Sequence, residues 1–175
     1  MRFDVTFAGD RVLLPDGVLR ASAVRAGDPA AAPPEIRTVA GDTVFVPAPQ
    51  RAELERFCED NGIPRVRRPD VWGELLEPFL DTAFGPDHQA ATLDRPERLG
   101  VGRAEAASIR DRVAPLMTAY NALHWDRHHL GLADLLDAAS AAVPPGHPHG
   151  RPGEVAAFRS WAMAIAERGR SPDGP

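Results

Sequence analysis

Three of the six histidines fall within HWDRHH, residues 124–129, with a carboxylate between them. His124, Asp126, His128 and His129 are residue types that bind divalent metals or carry protons near neutral pH. If the chain turns inside this stretch, His124, Asp126 and His128 or His129 converge on one ion, joined by a carboxylate from elsewhere. If a helix runs through it, His124 and His128 lie one turn apart on one face, a spacing that also suits two ligands. A zinc, manganese or iron ion held there would lower the pKa of bound water and support hydrolysis. The stretch lacks the glutamate of the H-E-x-x-H pattern, and the chain has a single cysteine. A structural corner, in which Trp125 packs and the histidines cap or hydrogen-bond, accounts for the same residues without a cofactor, and that is the expectation.

A second constellation is PRVRRPD, with Arg65, Arg67 and Arg68 in an extended segment. Guanidinium forks bind carboxylates and phosphates bidentately, so an anionic ligand or partner suits them. With 25 Asp and Glu in the chain, internal ion pairs serve equally well. Gly100 and Gly102 precede a helix whose N–H groups can hold an anion, but the strand and third glycine of a dinucleotide fingerprint are missing. His147 and His149, in GHPHG, stand in a proline- and glycine-rich loop. No serine stands in G-x-S-x-G. Cys58, among Glu53, Glu55, Glu59 and Asp60, is favoured as a buried thiol rather than a nucleophilic thiolate.

The elements that must position these groups are legible from periodicity. Phe3, Val5 and Phe7 alternate with polar residues as in a half-buried strand, and Pro15-Asp16-Gly17 separates two apolar runs as a hairpin turn. A proline-rich loop over residues 26–35 leads to a second hairpin about Ala40-Gly41-Asp42. From residue 48 the period becomes helical. Leu54, Phe57 and Cys58 share a face, and Asn61-Gly62 ends that helix. Asp70 caps a second one, which Pro78 should shorten. The clearest stripe is Ile109, Val113, Leu116, Tyr120 and Leu123, with Pro115 interrupting its hydrogen bonds. This helix must break between residues 124 and 129, since continuing in phase would turn polar residues inward. Asp126 is then the cap that places His128 and His129 in the first turn of the helix carrying Leu132, Leu135 and Leu136. A last helix carries Val155, Phe158, Ala162 and Ile165.

Strands followed by helices predict an α+β fold: a small N-terminal antiparallel sheet of three or four strands against a C-terminal bundle of about five helices. Residues 1–47 are too few for a sheet to stand alone, so the expectation is one domain over 1–169, with 1–47 strand-rich, 48–169 helical and 170–175 a disordered tail. Every one of the 20 basic residues is arginine, a mark of a GC-rich bacterial genome. The net charge of −5 argues against nucleic acid as a partner. The N-terminus lacks a secretion signal's apolar run and no membrane span is evident, which points to a cytoplasmic protein. With no catalytic signature, the expected function is that of an accessory or regulatory protein that binds another protein, with Trp72, Trp125 or Trp161 as an interface anchor. The alternative is a metal-dependent, hydrolase-like enzyme using residues 124–129.

Overall fold

Val12, Leu14 and Leu19 alternate with exposed residues, so the first three strands form a meander with one apolar face. In the computed structural model, which describes residues 5–80, 94–124, 129–141 and 152–168, these are β1 (Thr6–Ala8), β2 (Arg11–Leu14) and β3 (Gly17–Arg20), antiparallel in that order. Leu14 pairs with Gly17 across a two-residue turn. The left-handed glycine of this meander is not Gly17 but Gly9, at φ 59° in the β1–β2 turn.

A second sheet follows, with β4 (Val24–Asp28), β5 (Glu35–Thr38) and β6 (Thr43–Phe45) again antiparallel in chain order. Gly41 turns β5 into β6 at φ 91°. Among the described residues, six strands thus stand in two sheets, where the sequence predicted three or four in one. The difference arises at Ala26–Asp28, which composition assigned to a loop. Pairing with Arg37, Ile36 and Glu35 of β5, after a register shift between Val24 and Ala26, makes these residues strand.

Both sheets are closed by α1 (Arg51–Asp60), which buries Leu54, Phe57 and Cys58 among Val5, Val12, Val24, Ile36 and Val46. Asn61 and Gly62, at φ 63°, end the helix where the sequence placed its stop. The chain then returns along β4: Gly27 N donates to Pro64 O at 3.0 Å and Val66 N donates to Gly27 O at 3.0 Å. Glycine is required at this crossing, because a Cβ on Gly27 would lie 2.5 Å from Cys58 Sγ. The first compact unit therefore extends to Arg68, well past the composition change near residue 48.

The second unit, from Pro69 on, is helical. Its elements are α2 (Val71–Leu76), α3 (Asp94–Arg98), α4 (Arg103–His124), α5 (Leu132–Ala141) and α6 (Pro152–Ala166). The chain as a whole is α+β, as its sequence implied. Asp70 caps α2 by accepting from Gly73 N at 2.9 Å, and Pro78 lies in the 3-10 turn that ends it. Val71, Trp72, Leu75 and Leu76 are buried. Trp72 is 1% exposed, sits edge-on to Trp161 and donates from Nε1 to Ala162 O at 2.9 Å.

Pro115, which has no N–H to give the hydrogen-bond ladder, lies within α4, which continues through it. That residue faces solvent, the side on which a carbonyl left without its donor costs least. One expectation for α4 fails. The buried stripe is Ile109, Val113, Met117 and Asn121, so its second half departs from the predicted Leu116, Tyr120 and Leu123. Leu123 is 80% exposed. The cause is a polar contact that hydrophobicity does not reveal: Asn121 Nδ2 donates to Phe79 O at 2.8 Å. Arg110, also on the buried side, donates to Leu75 O (3.1 Å) and Glu74 O (3.0 Å), satisfying carbonyls at the end of α2. Burial lowers its pKa from the ordinary guanidinium value, against the opposing pull of Glu77 and Glu74.

Candidate functional site

The histidine corner is set by the end of α4 and the start of α5. His124 is the last residue of α4; its Nδ1 lies 2.9 Å from Tyr120 O and its ring stacks on that of Tyr120 at 4.0 Å. A carbonyl only accepts, so Nδ1 is the donor in this contact. The helix ends where the sequence required a break, but α5 begins at Leu132, later than predicted. His129 consequently precedes the helix instead of lying in its first turn. The reason is local: Asp134 Oδ2 accepts from Gly131 N at 2.8 Å, so the start of α5 is capped by its own carboxylate. Trp125, Asp126 and His128, like His147 and His149, lie outside the described residues.

His129 is partnered from far along the chain. Its Nε2 is 3.3 Å from Asp70 Oδ2, while Oδ1 of the same carboxylate caps α2. The ring passes so close to Gly73 and Gly131 that a Cβ on either would come within 3.1 Å of it. A carboxylate that orients an imidazole in this way fixes its tautomer, an arrangement found behind metal-ligating and proton-transferring histidines. The pair is substantially exposed, with side chains 43% (His129) and 55% (Asp70) accessible. Among the described residues no three His, Cys, Asp or Glu side chains are gathered to hold a metal ion.

The arginine segment divides. Arg65 is exposed and pairs with Glu59 at 3.1 Å, and Arg67 is exposed. Arg68 turns inward: NH2 donates to Glu35 Oε2 at 2.7 Å, and its backbone N donates to Asp28 Oδ2 at 3.3 Å. Glu35 Oε1 is 3.9 Å from Arg37 Nε, and Arg37 NH2 donates to Val66 O. Asp28, Glu35 and Arg37 are all under 5% exposed. The result is a buried network of two carboxylates and two guanidiniums across β4, β5 and the returning chain. Burial pushes the Glu35 carboxyl above its ordinary value, although Arg68 and Arg37 pull it down. A network whose charges balance and whose atoms face one another joins chain segments, which is the internal use the sequence allowed for Arg68.

A third feature lies on the outer face of the first sheet. Thr6 and Ala8 of β1, Arg11 and Leu13 of β2, and Val18 and Arg20 of β3 all point away from the core and are exposed. Leu13, 40% exposed, is directly opposite Val18, 58% exposed. One row along, Arg11 is opposite Arg20.

No protein-family model matches the chain, and no curated protein or solved structure matches it. Three contributors escaped the sequence reading. Asp70 was legible only as a cap, because its histidine lies 59 positions away. Glu35-Ile36-Arg37 carried a signal, two opposite charges flanking an apolar residue at strand spacing, all three of which are buried. Leu13-Leu14 and Val18-Leu19 carried one too, since only one member of each apolar doublet can face the core.

Proposed function

We propose that the chain is an accessory or regulatory binding protein of the cytoplasm that works by docking another protein. The observation that supports this reading is the opposed Leu13–Val18 pair, two aliphatic side chains held side by side in solvent on a sheet whose other face has its own core. Isolated exposed aliphatics are ordinary, but a cross-strand pair is a contiguous apolar spot of the kind that interface cores are built on. The tryptophans offer less: Trp72 is buried, Trp161 packs against Trp72, Phe158 and the Arg112 guanidinium, and Trp125 lies outside the described residues. No described helix is long and apolar enough to cross a membrane. Burial pushes the one thiol, Cys58, above its ordinary pKa, which favours the thiol over the nucleophilic thiolate.

A photo-crosslinking residue at position 18, in lysate of the native host, is expected to give a discrete protein adduct that the same residue at exposed Glu97 does not give. Adding Leu13→Glu should abolish it. Identical adducts from both positions, or none from position 18, would defeat the reading.

The Asp70–His129 pair favours a second reading, a metal-dependent hydrolytic centre with His124, Asp126, His128 and His129 as ligands or proton carriers. Zinc, manganese or iron at 100 times its dissociation constant is then expected to add about 2.7 kcal/mol, raising the melting temperature by roughly 5–10 °C. Untagged protein purified with less than stoichiometric metal, whose melt does not move with any of the three ions, removes this reading.

A further inference from the structure

The partner reading leaves open what chemistry the outer face of the first sheet accepts, and that face carries more than an apolar spot. Arg11 and Arg20 are cross-strand neighbours, and like charges directly opposite one another weaken a sheet. Of the two, Arg11 has a described carboxylate nearby, Asp10 at 3.5 Å, in the turn beside it. None of the six residues of the face is acidic. The face therefore presents a two-by-two pattern, aliphatic beside aliphatic and guanidinium beside guanidinium, with the two rows one step of two residues apart along each strand. That step is about 6.6–7 Å, the same interval at which alternate side chains of any extended chain recur.

β3 stands at the edge of its sheet. A side chain added at Gly17, where β3 begins, would meet open space. An extended segment laid along β3 continues both rows, placing one side chain beside Val18 and the next on that face beside Arg20. Resting on the protein-docking reading above, we propose that β3 and the outer face of its sheet take an acidic, extended polypeptide segment of a partner protein, with an apolar residue beside Val18 and a carboxylate two positions away beside Arg20. Strand addition supplies the backbone hydrogen bonds, and the alternate side chains supply selection. Nucleic acid fits the pattern poorly. The face offers two cations beside an aliphatic pair, and residues 1–68 as a whole carry ten arginines against ten carboxylates, without the surplus that a phosphate backbone requires.

The test uses the full chain, labelled with nitrogen-15, and three short synthetic peptides in a threonine background. One carries valine and glutamate two residues apart, one valine and lysine, one serine and glutamate. Amide shifts on titration are expected to map to residues 11–20, with the valine–glutamate peptide binding at least about tenfold tighter than the valine–lysine peptide, since attraction to both guanidiniums is exchanged for repulsion. Arg20→Gln should reduce that preference to within about twofold, and Val18→Ser should bring the valine–glutamate peptide down to the level of the serine–glutamate one. Both substitutions are at exposed positions, and the amide spectrum itself reports whether the variants are folded. Equal binding of the glutamate and lysine peptides at residues 11–20 overturns the acidic specificity while leaving protein docking intact. Shifts elsewhere, or none with any peptide, overturn the proposed site, and the crosslink at position 18 then decides the docking reading separately. Tighter binding of a single-stranded oligonucleotide at these residues, or self-association through them on raising protein concentration, also overturns it.

Discussion

Replacing Glu35 with alanine is expected to cost the first unit about 3–5 kcal/mol, the magnitude seen when one partner is taken from a buried ion pair. The loss follows from what remains. Arg37 is 1% exposed and the Arg68 side chain 10%, so neither guanidinium can turn to water when its shared carboxylate goes. Asp28 would be the one carboxylate left in the network, and it is already engaged with the backbone N–H groups of Ala30 and Ala31 as well as Arg68 N. Hydrogen exchange of peptides covering β4 to β6 is the direct measurement, because all three tryptophans lie in the second unit and their fluorescence does not report on these strands. Unchanged protection there would show that the network contributes nothing to holding β5 in place. Glu35→Gln keeps an acceptor for Arg68 and should cost less.

The same residue sets a pH dependence. Burial raises the folded-state pKa of Glu35 above the ordinary value of 4.5, so the folded chain holds that proton more tightly than the unfolded chain does. Its contribution to stability is then complete below the unfolded value and is lost as pH rises through the folded one. The stability of the wild type relative to Glu35→Gln is expected to fall as pH is raised across that window. A difference that grows with pH would mean that Arg68 and Arg37 outweigh desolvation.

The second large effect is expected at Trp72. Trp72→Ala removes the largest fully buried side chain among the described residues, and such truncations cost about 3–5 kcal/mol. Trp161 lies edge-on to it and is itself in contact with Phe158 and the Arg112 guanidinium, so the cavity opens beside a linked group of side chains, not beside one isolated neighbour. Trp72→Phe fills most of the volume but deprives Ala162 O of its donor, and a smaller loss of about 1–2 kcal/mol is expected. Urea unfolding followed by far-ultraviolet circular dichroism measures both. A ratio near one between the two variants would assign the whole effect to the indole N–H, and a loss below about 1 kcal/mol for alanine would show that the site collapses around the missing ring.

Short-range rules govern the features that are legible in the sequence. The Asp70 cap, the Asn61-Gly62 stop, the shortening of α2 ahead of Pro78 and the hairpins about Pro15-Asp16 and Gly41 each depend on a few neighbouring residues, and each is in the structure. Where the structure departs from the sequence expectation, the deciding partner was distant. Ala26–Asp28 read as loop because their pairing depends on β5 and on the chain near Arg65. The second half of the α4 stripe was misplaced because Asn121, polar by type, is drawn inward by Phe79 O.

The candidate sites divide in the same way. Composition and spacing marked His129 and the arginine segment as chemically capable groups, and periodicity was enough to require a break after His124. Which arginine turned inward, which carboxylate met His129, and which aliphatic side chains were left in solvent depended on contacts between residues 33 to 59 positions apart or, for Leu13 and Val18, on which member of an apolar doublet the sheet turned inward. Local backbone preference is written in each residue and its neighbours, whereas a charge acquires its partner, and an apolar side chain its water, only when strands and helices have packed.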